Sequence, residues 1–82
     1  METRDKKEIF LFLQKKYGKI GFDLKPALYF LAAVDLMEEP DEVFRMKAEA
    51  MELRENEKKK LQKYIKAARG FYNGRLSKLQ KA

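Results

Sequence analysis

Residues 24–37 read Leu24-Lys-Pro-Ala-Leu-Tyr-Phe-Leu-Ala-Ala-Val-Asp-Leu-Met37, a stretch that is apolar on nearly every side when wound into a helix. A helix without a polar face has to be covered from more than one direction. This segment is therefore expected to be the central packing element, spanning about residues 24–38. A membrane-spanning role fails on length, because crossing needs about 20 apolar residues and the uninterrupted run from Pro26 to Val34 stops at Asp35. Asp23 is a good N-cap type, but the residue before a proline resists helical angles, which favours Lys25 as the cap with Pro26 at the first helical position, and Glu39-Pro40 ends the helix.

On the N-terminal side, Asp5-Lys-Lys-Glu8 has capping-box spacing and leads into Ile9-Phe-Leu-Phe-Leu13. Ile9, Phe10, Leu13 and Tyr17 share one face at spacings of three and four, which predicts a helix over about 6–17. Gly18 falls in the position after the helix end, where left-handed angles are common. Ile20 and Phe22 in the following connection are expected to plug the end of the core. Gly18 and Gly21 do not form a phosphate loop, since the Gly-x-x-x-x-Gly-Lys-Ser/Thr pattern is missing and no strand precedes them.

After Pro40, acidic residues Asp41 and Glu42 open another helical pattern, with Val43, Phe44, Lys47, Ala50, Met51 and Arg54 on one face. Residues 54–60 carry no apolar side chain but also no Gly or Pro. Favourable spacings join Glu55 to Lys58 and Lys59, and Glu57 to Lys60. One long third helix over about 41–69 is the preferred reading, with residues 54–60 as a loop the other. The apolar stripe resumes as Leu61, Tyr64, Ile65, Ala68, Tyr72, Leu76 and Leu79. Gly70 and Asn73-Gly74 interrupt it. Either the helix stops at Gly70 and a short helix over about 71–80 folds back, which is preferred, or it runs on through the glycines.

The expected fold is thus all-α, one domain over 1–82, a small three- to four-helix bundle around the central helix. The chain is 39% charged and 45% hydrophobic, with a Lys- and Glu-rich balance common in thermophile proteins. With no cysteine and no histidine, it offers neither disulfides nor the usual zinc ligands. One Ser and one Thr leave no nucleophile and base pair, so no catalytic residue, cofactor or small-molecule substrate is expected. Glu38, Glu39, Asp41 and Glu42 read as a solvated corner rather than a metal site, lacking the order of a calcium loop. Asp35, alone on an apolar helix, must reach solvent or a cation. No signal peptide fits the N-terminus, and a cytoplasmic protein without membrane contact is expected.

Net charge is +6, placed unevenly: residues 1–53 hold nine Lys/Arg against eleven Asp/Glu, and residues 54–82 hold ten against two. A helix over 41–69 would be about 44 Å long against about 20 Å for the central one, leaving half of it without a partner in its own chain. An exposed apolar stripe tends to find a surface. The leading expectation is accordingly a non-enzymatic interaction module. It would self-associate, or dock on a partner protein, through Leu61, Tyr64, Ile65, Ala68, Tyr72 and Leu76. The alternative is a sequence-insensitive nucleic-acid binder using Lys58, Lys59, Lys63, Lys66, Arg69, Arg75 and Lys78, with Tyr64, Phe71 and Tyr72 available to stack on bases. A helix-turn-helix reader is disfavoured, because the helix after Pro40 carries acids that would repel phosphates.

Overall fold

The computed structural model describes residues 3–18 and 24–81, with side chains described for 3–18 and 26–76. Among the described residues there are four helices and no strand: α1 (Thr3–Tyr17), α2 (Leu24–Leu36), α3 (Asp41–Ala50) and α4 (Glu55–Lys81). The all-α class and the central apolar helix agree with the sequence. Ala27, Phe30, Ala32, Ala33, Val34, Leu36 and Met37 of that stretch are all buried.

The long third helix over 41–69 is replaced by α3, a turn and α4. The break is a Schellman motif: the N–H of Leu53 donates to the carbonyl of Ala48 at 3.1 Å, and the N–H of Glu52 to that of Glu49 at 3.0 Å. The residue at the left-handed position is Glu52, with φ 55°, where glycine is usual. Ala48 is buried and Leu53 packs against the core, the apolar character that commonly accompanies this motif at those two positions.

The new helix is then capped from inside. Glu57, three residues beyond Arg54, accepts the Arg54 backbone N–H at 3.2 Å through Oε1, the reciprocal half of a capping box. Its Oε2 accepts the Tyr29 hydroxyl at 2.5 Å, so one carboxylate starts α4 and fastens it to α2.

Contacts between helices give the topology. Phe12 stacks on Phe71 with centroids 4.4 Å apart, Tyr17 meets Tyr64 at 5.1 Å, and Glu8 pairs with Arg75, so α1 and α4 run antiparallel. Tyr29 meets Glu57, Phe30 meets Tyr64 and Arg69 meets Met37, so α2 and α4 run parallel. Two parallel helices in sequence require a return path, and α3 is that path. The core lies between α1, α2 and α4, where Ile9, Leu13, Phe30 and Leu61 are the largest fully buried side chains. Burying each contributes about 1.5–3 kcal/mol.

The preferred stop at Gly70 does not occur, and the alternative of a helix running on through the glycines does. α4 runs unbroken through Gly70 and Gly74 to Lys81, with no separate helix over 71–80. Each glycine costs about 1 kcal/mol in a helix interior, but Phe71 on Phe12 and Arg75 on Glu8 hold the segment helical against that cost.

Other boundaries shift slightly. α1 begins at Thr3, ahead of the expected Asp5 cap, and Glu8 serves ion pairs with Arg4 and Arg75 instead of a capping box. α2 begins at Leu24, with Pro26 in the first turn, where no intrahelical N–H partner is needed. Gly18 does not adopt a left-handed angle. A side chain there is opposed because a Cβ would lie 2.3 Å from the Gln14 carbonyl oxygen. Ile20, Phe22 and the Asp23 cap lie outside the described residues.

Candidate functional site: the outer face of the last helix

The position of α4 sorts its residues into two sets. Leu61, Ile65 and Ala68, expected as an exposed docking stripe, are 0%, 6% and 0% exposed and form the side of the core that covers α2. Laid end to end, α3 and α4 would leave them bare; with α3 turned back, α4 lies alongside α2 and its stripe is internal. Tyr64 packs edge-on against Phe30 and also meets Tyr17, and Tyr72 is half-buried against the same core. Of the six predicted interface residues, Leu76 is the most open to solvent, at 38% exposed.

The predicted cationic set divides as well. Arg69 is structural: its Nε donates to the Met37 carbonyl at 2.6 Å and its Nη2 to the Glu39 carbonyl at 3.2 Å. These carbonyls close the C-terminal end of α2, which has orphan acceptors and negative dipole charge, so a guanidinium fits there. Arg75 pairs with Glu8, and Lys58 lies 3.6 Å from Glu55. The side chain of Lys78 lies outside the described residues.

Lys59, Lys63 and Lys66 remain, exposed and at spacings of four and three that place them on one line of the helix, opposite the buried stripe. Lys60 is exposed beside them. Lys63 also stands 5.1 Å from the Tyr17 ring, a contact that steadies its stem without hiding its charge. From Lys58 onward α4 contains no acidic residue. The same line continues past Gly70, where an added Cβ would find nothing within 4 Å. It is a smooth, cationic and unobstructed track.

The aromatic residues expected to stack on bases do not reach this track. Tyr64 and Phe71 are held by ring contacts inside the bundle. Elsewhere, Glu38, Glu39, Asp41 and Glu42 are all exposed at the α2–α3 corner, and Asp35 is exposed on α2. No group of three metal-ligating side chains is found among the described residues, and no helix there is long and apolar enough to cross a membrane.

Two structural contacts carry no signal in the sequence. The Tyr29–Glu57 bond joins residues 28 apart and leaves no local signal, although Glu57 at the third position of a helix did carry half of a capping pattern. The Arg69 cap on α2 likewise depends on tertiary placement. No protein family, curated protein or solved structure matches this chain.

Proposed function

We propose that the protein binds the phosphate backbone of duplex nucleic acid, without sequence preference, through Lys59, Lys63 and Lys66 on the outer face of α4. The observation that carries this reading is the straight line of exposed lysines on a helix that has no acidic residue after Glu57. Such a line attracts polyanions and gains affinity by releasing condensed counterions. Tyr64 and Phe71 are engaged inside the bundle and Tyr17 lies half-buried beneath Lys63, which favours backbone contact over base stacking, and therefore duplex over single strand. Self-association through the α4 stripe is the weaker reading, since most of that stripe serves the core.

Fluorescence anisotropy with two unrelated labelled duplexes and their single strands tests this. With three phosphates neutralised, log affinity should fall against log salt with a slope of about −3 on duplex DNA. Both duplex sequences should bind alike, and the K59Q/K63Q/K66Q variant should lose most of the affinity and flatten the slope. Absence of binding at low salt, or a variant that binds as the parent does, would overturn the reading.

A further inference from the structure

A recess lies between α3, the C-terminal end of α2 and the middle of α4, with a volume of about 380 Å³. This is within the range of small-molecule sites. Its apolar lining is Leu36, Phe44 and Ile65, of which Leu36 and Ile65 are buried and Phe44 is half-buried. Three cations, Arg45, Lys66 and Arg69, stand around it against one carboxylate, Asp41.

The cations differ in freedom. Arg69 is locked by its two bonds to the carbonyls of Met37 and Glu39, so its positive field at the recess is fixed. Arg45 and Lys66 are exposed and form no ion pair among the described residues. Apolar lining beneath unpaired cations suits a ligand with both characters. A purely polar anion would leave Leu36, Phe44 and Ile65 unused, and a neutral apolar molecule would leave the cations unused.

We propose that this cleft binds a medium-chain carboxylate, its chain lying on Leu36, Phe44 and Ile65 and its head group between Arg45 and Lys66. The site is independent of nucleic-acid binding except for Lys66, which both use. Arg45 belongs to α3 and lies off the α4 lysine line, so substitution there reads the cleft alone.

The test is an NMR and calorimetric titration of the full chain with hexanoate, octanoate and decanoate below their aggregation limits, with acetate and inorganic phosphate as controls. Affinity should rise with chain length from hexanoate to decanoate, by less than the roughly fourfold per methylene that complete burial of a CH₂ group would give, because the recess is open on one side. The methyl signals of Leu36 and Ile65 should shift, and R45Q should weaken decanoate about tenfold while leaving the circular dichroism spectrum unchanged. The proposal is overturned by affinity independent of chain length, by phosphate binding as well as decanoate, by R45Q matching the parent, or by shifts confined to other surfaces such as Leu28 and Leu31.

Discussion

Replacing Leu61 separates a core residue from a docking residue. Its side chain is 0% exposed and belongs to the cluster that contains Phe30, Ile65 and Ala68. Truncating a buried leucine to alanine costs about 2–5 kcal/mol, the lost transfer energy plus the cavity left behind. At 0.05–0.15 kcal/mol per residue, an 82-residue chain has about 4–12 kcal/mol in all. Leu61→Ala should therefore lose between about a sixth and all of its stability. Leu61→Asp adds the cost of enclosing a carboxylate and should unfold at room temperature. Urea titration followed by far-ultraviolet circular dichroism measures the first effect. With a slope near the lower end of the 1–3 kcal/mol/M range, the midpoint should drop by at least about 1.5 M. Light scattering on the Asp variant measures the second. A Leu61→Ala midpoint within error of the parent, together with a folded Leu61→Asp chain of reduced mass, would refute the packing and restore a partner-facing α4 stripe.

Three further outcomes are expected. Glu52→Gly should stabilise the fold by up to about 1 kcal/mol, because a left-handed angle costs an L-residue about 1–2 kcal/mol and glycine returns about 0.5–1 of that in chain entropy; a lower urea midpoint would contradict the Schellman assignment. Gly70→Ala with Gly74→Ala should add about 1–2 kcal/mol, since a Cβ at either position meets nothing within 4 Å, and a loss of thermal stability would show that something else occupies that face. The Tyr29 pKa is raised, first by its hydrogen bond to Glu57, then by burial and by the nearby carboxylate charge. The stability it supplies is full below its unfolded value of about 10 and is lost as pH climbs through the higher folded value. Tyr29→Phe should be less stable at pH 7 by at most about 1 kcal/mol and should show a shallower decline above pH 10 in alkaline melts; an identical alkaline profile would remove Tyr29 from the account.

What the sequence made legible was whatever local pattern decides. The stretch from Leu24 to Met37 could only be central, because an apolar helix has no stable place elsewhere. The α3–α4 break was not legible, since its signal is normally a glycine and here Glu52 takes the left-handed position. The reverse error came at Gly70 and Gly74, where local propensity suggested a stop and the contacts of Phe71 and Arg75 with α1 outweighed it. The candidate site inherited both errors. A lysine line opposite an apolar stripe is visible in any amphipathic helix, but which side faces water depends on the return path through α3. Arg69 and Arg75 looked like equal members of the cationic set until the carbonyls of α2 and the carboxylate of Glu8 claimed them.

The lacing of the last helix to the first sets the order in which the fold can be completed. α1 and α2 leave the ribosome well before Leu61, Ile65 and Ala68 exist, so Phe30 and Leu13 must wait with one flank wet until the final third of the chain arrives. A nascent or prematurely terminated copy consists mostly of sticky hairpin, and it is at that stage, rather than in the finished molecule, that a chaperone has the most to shield.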